Sequence, residues 1–103
     1  PRVRRVYYPG LHPDTLAIAR RQMPDGFGPL LSFELDGDAA AADAVVAAAR
    51  LIRPGTSFGG VESSWERRAR WPSETAPESL IRLSVGLEAA QDLLADLQAA
   101  LAA

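Results

Sequence analysis

The sequence has 103 residues, of which 48% are apolar and 23% charged, so it is long enough for one domain and unlike a disordered chain. Its net charge of -2 argues against a nucleic-acid-binding protein, and the absence of cysteine excludes disulfides, thiolate zinc sites and cysteine nucleophiles. No apolar run is long enough to span a bilayer, and we expect no signal peptide at the start of the chain. We therefore expect a soluble, cytoplasmic protein that binds neither nucleic acid nor a membrane.

Two further features concern what the sequence lacks. All 11 basic residues are arginines, so no lysine is available for covalent amine chemistry. The chain also begins at Pro1 rather than at a start methionine. Together these features lead us to expect a piece of a larger protein.

Apolar periodicity and turn residues divide the chain into strands and helices. Val3 and its aromatic neighbours favour a strand, Pro13 and Asp14 suit the first turn of a helix, and Asp38 suits the cap of the next helix. The last segment has the clearest amphipathic stripe. In chain order we predict a strand over 3–7, a helix over 13–23, a strand over 30–35, a helix over 39–52, strands over 57–63 and 80–85, and a helix over 89–102.

These elements predict one α+β domain over residues 1–103, with about four mainly antiparallel strands and helices on one face. Within the predicted strand over 57–63, the paired Gly59 and Gly60 indicate a bulge or a close backbone approach. The charged stretch over 65–73 is predicted to be a loop or briefly helical.

The stretch over 79–88 is an apolar run with one arginine at its centre. Alternation across a strand places Ile81, Leu83 and Val85 on one face and Arg82 on the other. Burying the guanidinium would be costly without an anion or a carboxylate beside it. At this point two interpretations stay open: Arg82 is paired with a bound anion or a carboxylate, or it lies on an edge strand and extends to water.

Seven blocks of sequence recur together in one known family. Two of them are Ser57-Phe58-Gly59-Gly60-Val61-Glu62-Ser63 and Leu80-Ile81-Arg82-Leu83-Ser84-Val85-Gly86-Leu87-Glu88; the others occupy 8–13, 19–23, 26–28, 32–35 and 92–97. In this order and spacing, and over essentially the whole chain, they resemble the C-terminal small domain of the Cys/Met-metabolism family of pyridoxal 5'-phosphate (PLP) enzymes. That family includes cystathionine γ-lyase, γ-synthase and β-lyase and methionine γ-lyase, and has the aspartate-aminotransferase type I fold.

The resemblance implies roles for particular residues. It implies that Arg82 binds the α-carboxylate of the substrate, that Ser57 lies beside that carboxylate, and that Thr56 borders the substrate pocket. The glycines at 59 and 60 would let their strand approach the site. The PLP-binding lysine, the phosphate-binding residues and the aromatic residue that stacks on PLP lie in the family's large domain, so the resemblance implies no catalytic residue in this chain.

The same resemblance implies partners for this chain and assigns the binding of PLP to another domain. PLP would be held by the large domain of the complete enzyme, which would assemble as a homotetramer or homodimer and act on a small amino acid. This chain alone would not be catalytic. We expect the C-terminal domain of a PLP-dependent carbon-sulfur lyase (or γ-replacement transferase) of sulfur amino-acid metabolism, most like cystathionine γ-lyase.

Three departures from the family pattern bear on substrate choice and on local structure. Residues 65–72 replace a proline-containing stretch that usually ends in Met-Thr-His, and Thr56 stands where γ-synthases and animal-type γ-lyases often have glutamate. Both departures concern which substrate is used. Ala89 stands where aspartate is common, which weakens the start of the last helix.

Several alternatives remain open from the sequence. Within the family, the enzyme could be a cystathionine γ-synthase or a methionine γ-lyase. From another class, the chain could be a non-catalytic module that binds a small acid through Arg82. A third hypothesis takes three arginines and two tryptophans between 65 and 71 as a nucleic-acid patch, although a solvated loop or a subunit contact is the favoured interpretation of this segment.

Overall fold

The computed structural model describes residues 2–56, 59–71 and 75–102, which form a five-stranded sheet and three helices. The elements are β1 (Val3–Tyr7), α1 (Pro13–Gln22), β2 (Leu30–Leu35), α2 (Ala39–Ala48), β3 (Arg53–Pro54), β4 (Ser64–Arg67), β5 (Leu80–Ser84) and α3 (Ala90–Leu101), with 3-10 turns at Pro9–Leu11 and Arg68–Arg70. The strand order is β1-β2-β5-β4-β3, and the pairs are antiparallel except for β3 with β4. The predicted α+β class is confirmed.

One face of the sheet forms the core. The alternation of β5 buries Ile81 and Leu83 completely or nearly so, as predicted. The other buried core residues come from β2 and β4, from the segment after α2, and from the two helices that cover this face: Phe33, Leu35, Ala42, Val45, Ile52, Trp65 and Ala100. The indole Nε1 of Trp65 donates to the Val46 carbonyl at 3.2 Å, so its one polar atom is satisfied inside the core.

The strand predicted over 57–63 is wrong in its position. Residues 57 and 58 lie outside the described ranges, 59–62 form bends, and the strand begins at Ser64. The charged stretch predicted to be a loop therefore contributes β4, because Trp65 alternates inward between polar neighbours and contributes a large buried surface. The brief helix predicted there corresponds to the 3-10 turn at Arg68–Arg70.

The predicted helix over 39–52 ends four residues early, at Ala48, because a side chain of α3 binds the backbone that follows. The Asp96 carboxylate accepts hydrogen bonds from the backbone N–H groups of Arg50, Leu51 and Ile52, at 2.7–2.9 Å. Burial alone would raise the pKa of Asp96, but these three bonds outweigh it and the pKa is lowered. Asp96 thus joins α3 to the segment that enters β3.

The remaining helix, α1, lies mainly against the 3-10 turn that precedes it and buries only Ala19 of its own residues. Within the described ranges, no helix has both the length and the apolar character needed to cross a bilayer.

We predict that Asp96→Asn lowers the free energy of unfolding by about 2 kcal/mol at pH 7, because one amide oxygen replaces two charged acceptors for three N–H groups. A carboxylate whose pKa is lowered by folding stabilises above its unfolded pKa of about 4, and that stability is lost as pH falls through the folded pKa. Urea unfolding at pH 7 and pH 3 should therefore show a smaller difference at pH 3. Asp25→Asn, in an exposed turn, is the control, and an equal loss at both pH values contradicts the assignment.

Candidate functional site

A polar row crosses the sheet on the face opposite the core. Arg82 in β5, the middle strand, is the direct register partner of Ser32 in β2 and of Glu66 in β4. Tyr7 in β1 pairs with Ser32 and extends the row by one strand. Arg82 therefore does not lie on an edge strand, because a strand flanks it on each side.

The Arg82 guanidinium is held by groups on two sides. Its side chain is 19% exposed, its Nη2 donates to the Thr56 carbonyl, and the same Nη2 lies 4.0 Å from Oε1 of Glu66. The structure thus brings together two of the sequence-predicted site residues, Arg82 and Thr56. The third, Ser57, lies outside the described residues.

Glu66 is a site residue that the sequence analysis missed. Its carboxylate is buried. It accepts a hydrogen bond from Nε1 of Trp71 at 3.2 Å and a charge-assisted hydrogen bond from Nη1 of Arg68. The signal that could have found it is the alternation of β4, which sends Trp65 to the core and Glu66 to the opposite face. The charged residues of this stretch obscure that signal, because they favour a loop.

A second network fixes the two loops beside this row. Glu88 accepts from the backbone N–H of Ser63 at 2.8 Å and from its hydroxyl at 2.7 Å, and the same hydroxyl accepts from the Gly86 N–H at 2.8 Å. The backbone N–H of Ser63, and then its hydroxyl, lower the pKa of Glu88. Glu88, just before α3, is therefore hydrogen-bonded to the segment that leads into β4.

The close backbone approach in this region occurs at Gly86. A Cβ built on Gly86 would lie 2.6 Å from the Glu62 carbonyl carbon and 2.7 Å from the Ser63 nitrogen. By contrast, a Cβ on Gly60 would meet none of the described atoms within 4 Å, and Gly59 instead supplies a positive φ of 82°. The glycine pair therefore lies in a bend, and the close packing expected of it occurs instead at the glycine after β5.

The arginines and tryptophans between 65 and 71 do not form one surface. Trp65 is fully buried in the core and has no free ring face for a base. Arg67 is paired with Asp43 at 2.8 Å and Glu78 at 3.0 Å, whereas Arg70 lies over the Trp71 ring at 5.1 Å. The geometry that motivated a nucleic-acid patch is thus not present, and the absence of nucleic-acid binding stays a prediction.

The chemistry this arrangement offers is the binding of an anion. A guanidinium is permanently charged and its planar fork matches a carboxylate through two parallel hydrogen bonds. In the part of the chain that the structure describes, no cluster of three or more His, Cys, Asp or Glu residues could hold a metal ion. Arg82 is therefore the group of the polar row with the chemistry to bind an anion.

Comparison with known proteins gives consistent results. Residues 1–102 match the family described as Cys/Met metabolism PLP-dependent enzyme. The chain is 45% identical over 101 residues to the "Putative cystathionine gamma-lyase" of Streptomyces coelicolor and 42% identical over 113 residues to the cystathionine beta-lyase of Coxiella burnetii. It superposes with a TM-score of 0.86, at 43% identity, on the crystal structure of cystathionine gamma synthase from Xanthomonas oryzae pv. oryzae in complex with cystathionine.

The shared region is a minor part of each of these proteins. The matches cover 97–98% of this chain but only 26% of the Streptomyces protein, 29% of the Coxiella protein and 28% of the Xanthomonas chain. The chain thus spans between a quarter and a third of the length of the relatives it matches.

We predict that Gly86→Ala destabilises the protein by about 3 kcal/mol, because the new methyl group would press on backbone rather than on a flexible side chain. Gly60→Ala is the matched control and should change the unfolding free energy by less than about 0.5 kcal/mol. Thermal and urea unfolding of both variants provide the measurement. Equal effects at the two positions would show that the close approach at Gly86 does not constrain the loops.

Proposed function

This chain belongs to the Cys/Met metabolism PLP-dependent enzyme family, and from that premise we propose that it is the substrate-carboxylate-binding C-terminal domain of a PLP-dependent carbon-sulfur lyase. The observation that carries the proposal is the Arg82 guanidinium in the middle strand, on the polar face, with Nη2 bonded to the Thr56 carbonyl. A carbonyl orients the cation without cancelling its charge, so this hydrogen bond is compatible with the binding of a carboxylate by the same guanidinium. Arg82 binds the α-carboxylate, and its orientation sets where the α-carbon lies.

The residues of this chain do not fit a covalent site for PLP. Covalent attachment needs an amine, and none of the 103 residues is lysine. The cofactor and the chemistry that it supplies therefore belong to the family's large domain, which this chain does not include. The contribution of this domain is to bind and orient the substrate.

Among the family members, cystathionine γ-lyase is the activity we favour. The alignment to the Streptomyces protein spans 101 positions, whereas the alignment to the Coxiella β-lyase needs 113 positions for the same 98% of this chain. The Coxiella protein therefore contains residues that have no counterpart here, and the Streptomyces protein matches without them. Cystathionine γ-synthase is the second candidate, because the Xanthomonas enzyme superposes at 43% identity. Methionine γ-lyase is a third possibility within the family.

The non-catalytic alternative is a module that binds a small acid through Arg82 alone. The gene sequence upstream of Pro1 discriminates the two, because the enzyme requires a large domain with a PLP-binding lysine there. Assembly as a homotetramer or homodimer and a cytoplasmic location stay predictions.

Thr56 is the residue to which we assign substrate choice. Its carbonyl contacts Arg82 and its side chain is exposed, so a substitution there changes the pocket edge without removing the backbone contact. A threonine offers a hydroxyl and a methyl group, with no charge for a distal ammonium. We infer an enzyme that accepts cystathionine without strongly preferring it over smaller thioethers such as methionine or homocysteine.

In the complete enzyme, Arg82→Ala should lower kcat/KM roughly 30- to 5000-fold, because the substrate carboxylate loses its charged partner. This corresponds to a rise of about 2–5 kcal/mol in the activation free energy. The loss should fall mainly on substrate capture, and Arg82→Lys should recover only part of it, since an ammonium lacks the planar fork. Arg20→Ala, an exposed arginine in α1, is the control. Steady-state kinetics provide the measurement. A wild-type kcat/KM in Arg82→Ala would contradict the proposal that Arg82 binds the α-carboxylate.

Substrate choice is tested by Thr56→Glu in the complete enzyme. The carboxylate should raise the ratio of kcat/KM for cystathionine over methionine by an amount worth roughly 1.5–3 kcal/mol, because it can pair with the distal ammonium. Thr56→Gln introduces a side chain of the same size as glutamate but without the charge, and it should leave the ratio near its wild-type value. If glutamate and glutamine give the same ratio, Thr56 does not determine selectivity.

A further inference from the structure

The two tryptophans of the chain lie close together in the sequence but in different surroundings. Trp65 is fully buried in the core, whereas Trp71, directly after the 3-10 turn at Arg68–Arg70, is 42% exposed. An exposed indole forgoes part of the burial that makes large aromatic side chains stabilising. Aromatic rings also line the pockets in which proteins bind small molecules. The position of Trp71 relative to the polar row therefore bears on what its ring does.

The indole N–H joins Trp71 to the polar row. Its Nε1 donates to Oε2 of Glu66 at 3.2 Å, and the other oxygen of the same carboxylate, Oε1, lies 4.0 Å from Nη2 of Arg82. Glu66 is a buried residue of β4 and the register partner of Arg82, so the sheet holds this acceptor in place. A single carboxylate group thus separates the indole from the guanidinium that we assign to the substrate.

The contacts of Trp71 fix the ring while leaving part of it accessible. The hydrogen bond to Glu66 sets the position of the indole edge, and the Arg70 guanidinium lies over the ring, 5.1 Å from its centroid. A cation in this position covers one face of an aromatic ring. Because the residue stays partly exposed with Arg70 in place, an apolar surface of fixed orientation borders the polar site.

From this arrangement we propose that the ring of Trp71 contacts the side chain of the substrate and favours amino acids with a thioether. The proposal rests on the proposed function, because the carboxylate bound at Arg82 is what brings the substrate beside the ring. The sulfur and methylene groups of a thioether both make favourable contacts with an aromatic ring. Trp71 is thus a specificity-determining residue that recognises the apolar part of the substrate, whereas Arg82 recognises its acid group.

The test uses the full-length enzyme and two competitors of cystathionine turnover, L-norleucine and L-alanine. Both carry an α-amino group and an α-carboxylate, but only norleucine has a long apolar side chain, and it has no leaving group at the γ-carbon. The ratio of their inhibition constants therefore reports recognition of the side chain separately from that of the carboxylate. We expect the wild-type enzyme to prefer norleucine.

Two substitutions separate the ring of Trp71 from its hydrogen bond. Trp71→Phe keeps an aromatic ring but loses the N–H that Glu66 accepts, and it should keep the preference within about twofold of wild type. Trp71→Gln keeps an N–H donor but removes the ring, and it should reduce the preference about tenfold. Trp71→Leu should reduce it about fivefold and replaces Trp71→Gln if that variant does not fold. Leu94→Ala, at an exposed apolar position in α3, is the control and should leave the preference unchanged.

The outcomes separate this inference from the proposed function. If the enzyme without the ring keeps the wild-type preference, or if the wild-type enzyme has none, the ring does not contact the side chain, although Arg82 can still bind the carboxylate. If Trp71→Phe loses the preference as fully as Trp71→Gln, the hydrogen bond to Glu66 is what matters and the inference is overturned. Arg82→Ala should weaken both competitors by the same factor; if it weakens neither, the proposed function fails.

Discussion

β5 carries the apolar core and the polar site on opposite sides of one strand, and the neighbouring elements are arranged by that division. Ile81 and Leu83 are buried beneath α2 and α3, whereas Arg82 between them faces the other way. Because side chains in a strand alternate with a period of two, a slip of one residue would place the guanidinium in the core. The same apolar contacts that stabilise the sheet therefore fix Arg82 between β2 and β4.

The loops around Arg82 depend on contacts from the opposite end of the chain. Asp96 of α3 binds the N–H groups of residues 50–52, and this segment leads through β3 to Thr56, whose carbonyl contacts Arg82. Glu88 and Gly86, just after β5, hold Ser63 at the entrance to β4. Helix α3 thus influences the site without contributing a side chain to the polar row.

Much of this arrangement follows from local patterns in the sequence. The period-two alternation at 80–85 and at 30–35 correctly predicts the buried residues Ile81, Leu83, Phe33 and Leu35, because the apolar faces are unbroken. It does not predict that Ser84, on the other face of β5, is buried and that Val85 is only partly buried. β4 was missed because two of its four residues are charged, and only packing against the core shows that Trp65 is inside. The role of Asp96 could not be predicted, since its partners lie 44–46 positions away and are backbone groups that leave no mark in the sequence.

The most direct test of the account is a crystal structure of the complete enzyme with a bound amino-acid substrate or a stable analogue. The account predicts that the α-carboxylate lies in the plane of the Arg82 guanidinium, with two N–O distances of about 2.7–2.9 Å. It also predicts that Oε1 of Glu66 remains beside Nη2 of Arg82. A carboxylate bound by other residues, with Arg82 beyond hydrogen-bonding distance, would contradict it.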